Sequence, residues 1–234
     1  FDANNQVLQS DCFDLLMKGA VLCNDADIVL DGNKWVVKGD PTEGALVVAT
    51  LKAGVQKEQV RSSYPRIDEF PFSSDRKRMT TIHSRQLQAD GNKLLFMKGA
   101  PEIILNYCSQ MCSENGTEGL TEQKRRRILD VNEEMAGGGL RVLGIAYKEM
   151  PANLISYKEE TAESELVFLG LIGMMDPPRK EVMEAVKLCR QIGIKPVMIT
   201  GDHKLTALAV AKELGIYQEG DEVLTGEDLE RISQ

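Results

Sequence analysis

The sequence lacks a hydrophobic run long enough to cross a membrane. Its longest apolar stretch, Leu166–Met175, has ten residues, whereas a spanning helix needs about 20. It also lacks the charged, apolar and small-residue regions of a signal peptide. We therefore expect the chain to be soluble. Its abrupt start at Phe1 and its end at Gln234, just after a helix-like segment, indicate a piece of something longer.

Positive charge is also scarce. The chain has 28 Lys and Arg residues against 36 Asp and Glu residues, and its pI is near 5.0. Nucleic-acid binding depends on clustered cations, and the one basic block, Lys124–Arg127, is flanked by Glu122, Glu133 and Glu134. A solvated helix face explains this block better. We therefore expect no nucleic acid among the partners.

Cysteine and histidine are too few and too scattered to define a site. The five cysteines are Cys12, Cys23, Cys108, Cys112 and Cys189. They form no CxxC pair and leave an odd one over, which suits a reducing compartment better than a disulfide framework. Cys108 and Cys112 could share a metal ion only if histidines joined them. Because His83 and His203 are distant in sequence, we predict no metal site in this chain.

A repeated stretch is present instead. DGNKWVVKGDP, from Asp31 to Pro41, returns as DGNKLLFMKGAP, from Asp90 to Pro101. Each copy has a turn, a short apolar run, a Lys-Gly pair and a proline suited to a first helical turn, so each predicts a strand that runs into a helix. Because strand–helix junctions use a small set of residue types, the match can arise by chance. Alternatively, the glycines let a ligand approach, the lysines supply charge, and the two corners frame one pocket.

The first part of the chain is predicted to be α+β, with an antiparallel sheet flanked by helices. Asp-Gly turns predict two hairpins, in which Asp27–Leu30 pairs with Lys34–Lys38 and Met79–Arg85 pairs with Lys93–Lys98. With 42% hydrophobic residues, the chain can bury an ordinary core. Periodicity and capping residues predict helices over 41–53, 101–108 and 121–135, and strands over 141–149 and 166–175.

The pattern changes at Asp176-Pro177-Pro178-Arg179. Two prolines interrupt regular structure and stiffen the connection, so we place a domain boundary here, between residues 1–175 and 176–234. The elements predicted beyond it are a helix (181–192), a buried strand (195–199), a Thr200-Gly201-Asp202 turn and a helix (204–214). They form half of a parallel α/β domain, in which ligands gather at the carboxyl ends of strands.

Seven motifs in this order resemble those of the P-type ATPase family. They are LCNDA (Leu22–Ala26), KGDPTEGAL (Lys38–Leu46), FPFSSDRKRM (Phe70–Met79), MKGAPE (Met97–Glu102), LRVLGIA (Leu140–Ala146), GMMDPPR (Gly173–Arg179) and MITGDHKLTA (Met198–Ala207). The resemblance covers nearly the whole chain. It implies a nucleotide-binding domain over residues 1–175, a hinge at DPPR and a partial phosphorylation domain with a haloacid-dehalogenase-like, Rossmannoid fold. The sequences DPPR and FSSDRKRM look closest to those of calcium-type cation pumps.

The resemblance also implies a pocket for ATP or ADP. Phe72 matches the aromatic residue that stacks on adenine, although composition alone favours a core phenylalanine. Lys98 and Gly99 belong to the KGAPE motif, whose lysine lines the adenine site, and Lys77 matches a lysine that reaches toward the phosphates. Arg141 matches an arginine that steadies the triphosphate, a task suited to the bidentate guanidinium group.

Two more motifs have a structural explanation beside the functional one. Asp40-Pro41-Thr42-Glu43 has the spacing of a capping box, while the family places this glutamate beside the adenine amino group. Thr200-Gly201-Asp202 can be a strand-to-helix turn capped by Asp202. In the family, however, the threonine lies near the phosphoryl group and the aspartate near the ribose. Both motifs therefore keep two interpretations.

The family's catalytic residue is missing. P-type pumps transfer the γ-phosphoryl group of ATP to the aspartate of a DKTGT motif, with Mg²⁺ neutralising the developing charge, and this chain contains neither DKTGT nor GDGxND. We expect a cytosolic portion of an integral membrane pump that binds ATP but cannot hydrolyse it alone. Its partners would be the remaining phosphorylation, actuator and transmembrane domains. The transported ion is chosen by membrane carboxylates that are not here.

Two other classes of protein stay open from the sequence. A haloacid-dehalogenase-type phosphatase would share the half that carries the TGD motif, but it should show a DxDx[TV] motif near a strand end, and we expect none here. A non-catalytic nucleotide-binding module would bind nucleotide with no larger parent gene.

Overall fold

A computed structural model gives the structure of residues 10–85, 91–154, 156–175, 180–201 and 204–232. These residues fall into two compact units. The first contains the residues up to Leu129 together with Leu143–Ile172, and the second contains Asp130–Val142 and the residues from Gly173 onward. The predicted hinge, Asp176–Arg179, lies outside the described residues, so the predicted boundary at 175/176 stays a prediction.

The described residues contain both helices and strands, as an α+β protein requires. The helices are α1 (Asp11–Leu22), α2 (Pro41–Lys52), α3 (Lys57–Ser63), α4 (Pro101–Asn106), α5 (Glu122–Gly137), α6 (Glu159–Ala162), α7 (Lys180–Gln191), α8 (Lys204–Glu213) and α9 (Gly226–Ile232). The strands are β1 (Asp27–Asp31), β2 (Lys34–Lys38), β3 (Arg66–Ser73), β4 (Arg78–Ser84), β5 (Lys93–Gly99), β6 (Cys108–Ser113), β7 (Gly116–Gly119), β8 (Arg141–Met150) and β9 (Leu166–Met174). None of the described helices is long and apolar enough to span a membrane.

The strands form two sheets. β1 and β2 make a separate antiparallel pair, and the other seven form one sheet in the order β3-β4-β5-β8-β9-β6-β7. The pairs β3–β4, β4–β5, β5–β8 and β6–β7 are antiparallel, whereas β6 pairs with β9 in parallel. The sheet is therefore mixed, and the prediction of an antiparallel sheet is wrong at β6–β9.

The β1–β2 hairpin and the pairing of β4 with β5 are confirmed, while Asp90 of the second predicted turn lies outside the described residues. Asp31 pairs with Lys34 around a turn in which Gly32 has φ of +59°, a conformation that glycine adopts without strain. In the second pair, β4 and β5 run antiparallel with Met79 opposite Lys98. The local turn and alternation signals were strong enough to predict these pairings.

The main core lies on one face of the large sheet. Leu95 and Met97 of β5 belong to it, while Phe96 and Lys98 project to the opposite face because side chains alternate along a strand. Helix α1 packs on that opposite face. A Cβ atom at Gly19 would lie 2.8 Å from Ile145 and 2.9 Å from Phe96, so the missing side chain lets α1 approach β5 and β8 closely.

Helix α5 explains the basic block at Lys124–Arg127. Arg126 and Arg127 are exposed, as a solvated helix face requires. The guanidinium group of Arg125 instead donates to the backbone carbonyls of Leu105 and Cys108. At least one member of the block therefore holds α5 against the α4–β6 connection.

Two elements differ from their predictions. Residues 195–199 form no strand, and Val197 and Ile199 are largely exposed. A strand needs a neighbour to satisfy its backbone groups, and this segment pairs with none of the described strands. The helix predicted over 101–108 ends at Asn106, because Cys108 already begins β6.

The pairing of Cys12 with Cys112 also differs from the prediction. Cys12, in the first turn of α1, forms a disulfide bond with Cys112 on β6. The preference for no disulfide framework is wrong for this pair, because folding joins cysteines that are 100 positions apart in sequence. Cys23, Cys108 and Cys189 are free. Since the Cys112 sulfur is in the disulfide, the Cys108–Cys112 pair does not hold a metal ion.

His83 is a buried structural residue of β4. Its Nδ1 lies 3.0 Å from the carbonyl oxygen of Tyr64, and its Nε2 lies 2.9 Å from Oγ1 of Thr81. A carbonyl can only accept, so Nδ1 carries the proton and Nε2 accepts from the hydroxyl group. Burial lowers the pKa of His83 to about 4, and the ring is therefore neutral at physiological pH.

The buried His83 predicts a loss of stability in mild acid. The pKa is about 4 in the folded chain and about 6.5 when unfolded, so the unfolded chain binds more protons between these values. Stability therefore falls as pH falls through this window, by about 2 kcal/mol between pH 7 and pH 5. Urea unfolding at both pH values measures the change. A His83→Gln variant should show a flatter dependence, and equal slopes would contradict the assignment.

Candidate functional site

Lys98 and Glu43 meet at the end of β5. The Lys98 Nζ forms an ion pair with Oε1 of Glu43, which lies in the first turn of α2. The side chains are only 7% and 15% exposed, so water screens this pair less than a surface pair. The other carboxylate oxygen, Oε2, accepts a hydrogen bond of 2.9 Å from the backbone N–H of Asp25.

This ion pair joins the two repeated corners. The first corner, at Lys38-Gly39, leads into α2 and contributes the acid, while the second, at Lys98-Gly99, contributes the base. Lys38 itself is exposed, so the two lysines are not equivalent. Although the two corners have similar sequences, they have different roles in the structure.

The capping box at the start of α2 is formed only in part. Asp40 Oδ1 accepts from the N–H groups of Thr42, at 2.8 Å, and Glu43, at 3.1 Å. This confirms Asp40 as the N-cap, with Pro41 in the first turn. The Glu43 carboxylate is engaged by Lys98 and Asp25. The spacing of Glu43 therefore fits a capping box, but its side chain contacts Lys98 and the Asp25 N–H group instead.

Asn24, in the LCNDA motif, supports this arrangement and was not predicted. It is fully buried. Its Nδ2 donates to the carbonyls of Ala20, at 3.0 Å, and Glu43, at 2.9 Å, and its Oδ1 accepts from the N–H of Ala26 at 2.9 Å. These bonds hold the α1–β1 corner against α2 and direct the Asp25 N–H toward Glu43. The quoted motif was a signal for this role, but its partners lie outside the motif's local sequence.

Phe72 is 60% exposed, so the alternative of a core phenylalanine is wrong. It lies in β3, where the register shifts between the pairs Phe70–Thr80 and Ser73–Arg78. Pro71 and Phe72 together therefore lie opposite Met79, and Met79 pairs with Lys98 on the next strand. At about 4.8 Å per strand spacing, the backbones of Phe72 and Lys98 are roughly 10 Å apart.

Lys77 is exposed in the turn between β3 and β4, with φ of +51°. Its N–H donates to the Ser73 carbonyl at 2.8 Å, and its own carbonyl accepts from the Ala100 N–H at 3.2 Å. A Cβ atom at Gly99 would lie 2.4 Å from this Lys77 carbonyl oxygen. The space left by Gly99 is therefore used by the protein backbone, which brings Lys77 next to the end of β5.

The structure thus places five of the predicted positions at one end of strands β3–β5, namely Glu43, Phe72, Lys77, Lys98 and Gly99. Arg141, Thr200 and Gly201 belong to the second unit. Arg141 is the first residue of β8, and Thr200 and Gly201 are exposed in an irregular segment. Asp202 lies outside the described residues.

A cavity of about 380 Å³ lies elsewhere in the first unit. Its lining residues are Leu22, Asp25, Arg61, Tyr64, Arg66 and His83. Arg66 pairs with Asp25 at 2.7 Å and with Glu69 at 2.6 Å, and Arg61 pairs with Asp27 at 3.4 Å. None of the residues predicted to bind nucleotide lines this cavity, so it is a weaker candidate than the Lys98 site.

The expectation that no DxDx[TV] motif is present is wrong, although the matching string does not have the setting of a catalytic site. Asp25–Val29 reads DADIV, which matches DxDx[TV]. It stands at the beginning of β1 in an antiparallel hairpin, not after the end of a parallel strand. Asp27 forms ion pairs with Lys57 and Arg61, and Lys57 lowers the pKa of Asp27. These contacts are those of a structural carboxylate.

Comparisons with known proteins agree with the motifs. A family profile described as "P-type ATPase, cytoplasmic domain N" matches residues 12–181. Calcium-transporting ATPase 1 of Bacillus cereus is 40% identical over 229 residues, which is 98% of this chain and 25% of that protein. Calcium-transporting ATPase 1 of Lactococcus lactis is 38% identical over 220 residues, or 94% of this chain and 24% of that protein. The chain therefore spans about a quarter of the length of these relatives.

Proposed function

We propose that this chain, which belongs to the P-type cation ATPase family and matches its cytoplasmic domain N, binds ATP or ADP at the end of β3–β5. The observation that carries the proposal is the exposure of Phe72 on β3, two strands from Lys98 of the Lys98–Glu43 ion pair on the same sheet. A large exposed aromatic residue offers a flat apolar surface that a purine can cover. Stacking of a base on such a ring is worth on the order of 1 to 3 kcal/mol.

The polar groups around Phe72 suit the other parts of a nucleotide. In the proposed complex, Glu43 accepts from the exocyclic amine of adenine, and Lys98 lines the same pocket. Lys77 is exposed on the adjacent turn, where its ammonium group can attract phosphate oxygens. In the family's pattern, Arg141 matches the arginine that holds the triphosphate through a bidentate guanidinium contact. Each of these roles uses the side chain as a binding group and does not require bond breaking by this chain.

The proposed role in the intact pump is delivery of ATP. The γ-phosphoryl group would be transferred to an aspartate that is absent from this chain, with the DPPR hinge bringing the two domains together. Thr200, Gly201 and Asp202 would support the phosphoryl site in a haloacid-dehalogenase-like domain. Mg²⁺ would neutralise charge on the phosphates when bound. Among the described residues no group of three or more His, Cys, Asp or Glu side chains is placed to hold a metal ion.

The motif sequences and the names of the relatives favour calcium as the transported ion. The DPPR and FSSDRKRM wording looks closest to calcium-type pumps, and the relatives from Bacillus cereus and Lactococcus lactis carry the name calcium-transporting ATPase. We propose that the intact protein is a cation-transporting membrane ATPase, with this chain in its cytosolic portion. Its other phosphorylation, actuator and transmembrane domains would be the partners.

Calorimetric titration with ATP tests the site, and Phe72→Ala is the decisive variant. Because Phe72 is largely exposed, its truncation leaves the core intact while removing the stacking surface. We expect binding to weaken by about five- to 150-fold, the equivalent of the stacking energy. Trp35→Ala is the matched control, because Trp35 is 72% exposed on the separate β1–β2 hairpin. Equal affinity of Phe72→Ala and the parent would refute the proposed site.

A phosphate-release assay tests the proposal that this chain does not hydrolyse ATP alone. The chain should bind ATP without turning it over, since the acceptor aspartate is absent. A steady release of phosphate that persists through repeated purification would contradict this expectation.

A further inference from the structure

A buried carboxylate is bonded to Arg76, in the connection that runs from Phe72 at the end of strand β3 to Lys77 in the β3–β4 turn. Glu163 follows the short helix α6, and its side chain is 1% exposed. Its Oε1 accepts from Arg76 Nη2 and from the hydroxyl group of Thr80, and its Oε2 accepts from Arg78 Nε at 2.7 Å. A buried carboxylate requires such partners.

Glu159, at the other end of α6, completes an acidic pair. Its Oε1 accepts from Arg76 Nε at 3.0 Å and from Arg78 Nη2 at 2.9 Å. Both arginines are therefore held by both glutamates. Because α6 is more than 80 positions away in sequence, these bonds link the β3–β4 turn to a distant part of the first unit. We call this set of four residues the Arg–Glu clamp.

Arg76 of the Arg–Glu clamp also forms hydrogen bonds within the connection between β3 and β4. Arg76 Nη1 donates to the carbonyl of Pro71 at 2.9 Å, and the Arg76 N–H donates to Ser73 Oγ at 3.2 Å. Pro71 is the residue immediately before Phe72, and Arg76 immediately precedes Lys77. The same guanidinium group thus joins the two ends of the segment whose side chains are proposed to contact the base and the phosphates.

We infer that Glu163 is a positioning residue for nucleotide binding, which acts through Arg76 to set the connection from Phe72, at the end of β3, to Lys77, in the β3–β4 turn. The inference rests on the proposed function. Phe72 is too exposed to be oriented by core packing, and Lys77 has a positive φ that a free turn would leave readily. A fixed turn reduces the ordering that nucleotide binding must otherwise supply, which is the advantage of preorganisation.

Glu163→Gln tests the inference, because it keeps the size of the side chain and removes its charge. We expect ATP and adenosine both to bind about tenfold more weakly, since the turn presents the stacking ring. Glu160→Gln is the matched control, as Glu160 is exposed on the same short helix. The thermal midpoint is measured for each variant. If Glu163→Gln does not fold, Arg76→Gln removes the link to Pro71 while the Arg78–Glu163 bond remains, and the same tenfold loss is expected.

A spectroscopic measurement separates positioning from general stabilisation. Trp35→Phe combined with Phe72→Trp places the single tryptophan of the chain at position 72, and its fluorescence anisotropy decay reports local motion. Adding Glu163→Gln should increase the amplitude of fast motion at this ring while the global tumbling time is unchanged. Unchanged fast motion, or a parent-like ATP affinity in Glu163→Gln, would overturn the inference. If the parent binds no ATP, the proposed function fails, and the anisotropy result still decides whether the clamp fixes the turn.

Discussion

Reduction of the Cys12–Cys112 disulfide is expected to lower the free energy of unfolding by about 4 to 5 kcal/mol. The bond closes a loop with a sequence separation of 100, and cross-linking a loop of this size removes that amount of conformational freedom from the unfolded chain. It ties the first turn of α1 to the β6–β7 hairpin. Thermal unfolding with and without dithiothreitol measures the effect, and the midpoint should fall by on the order of 10 °C.

A thiol count and two variants provide the controls. The unfolded chain should show three reactive thiols without reductant and five with it. Cys12→Ser should have the stability of the reduced parent and should not respond to reductant. Cys189→Ser should respond as the parent does, because Cys189 is free. Five thiols in the untreated protein would contradict the bond.

This bond has a consequence for the compartment in which the chain works. A cytosolic environment keeps thiols reduced, and in that state the domain loses the link between α1 and β6. Helix α1 ends at the LCNDA corner, where Asn24 and Asp25 hold Glu43. The stability that matters for the proposed cytosolic role is therefore that of the reduced chain.

Lys98→Met should destabilise the fold by about 3 to 5 kcal/mol. The substitution leaves the Glu43 carboxylate, only 15% exposed, without its cation, and removing one partner of a buried ion pair costs this much. Lys77→Met is the matched control, because Lys77 is an exposed lysine on the neighbouring turn. It should change the free energy of unfolding by less than about 0.5 kcal/mol. Urea unfolding of both variants checks the difference.

A double variant distinguishes loss of the pair from loss of packing. Glu43→Gln keeps an acceptor for the Asp25 N–H but removes the charge, so Lys98→Met combined with Glu43→Gln should recover most of the lost stability. The coupling between the two sites then measures the ion pair. Additive effects would show that the two side chains act independently. Because Lys98 variants change stability, Phe72→Ala remains the cleaner test of nucleotide binding.

The elements that were predicted correctly depend on short-range signals. The β1–β2 hairpin follows from Asp31-Gly32 and the strands beside it, and α2 begins at Asp40-Pro41 as its capping residues require. In each case the residues that decide the structure lie within a few positions of one another. The seven ordered motifs likewise identified the family, which the comparisons confirm.

The incorrect predictions involve partners that are distant in sequence. The apolar run at 195–199 has the composition of a buried strand, yet composition does not supply a neighbouring strand, and none of the described strands pairs with it. β6 was missed because its parallel partner, β9, lies more than 50 positions away. The disulfide was missed for the same reason, since spacing along the chain says nothing about two cysteines that meet only after folding.

The candidate site shows the same division. Motif identity was sufficient to select Phe72, Lys77, Lys98 and Glu43 as a set, because residue types and order are properties of the chain. The tertiary structure decided that Phe72 is exposed, that Lys98 pairs with Glu43 across 55 positions, and that Glu163 holds the turn from 87 positions away. Burial and ion pairing depend on which surfaces pack together, and packing is a property of the folded chain as a whole.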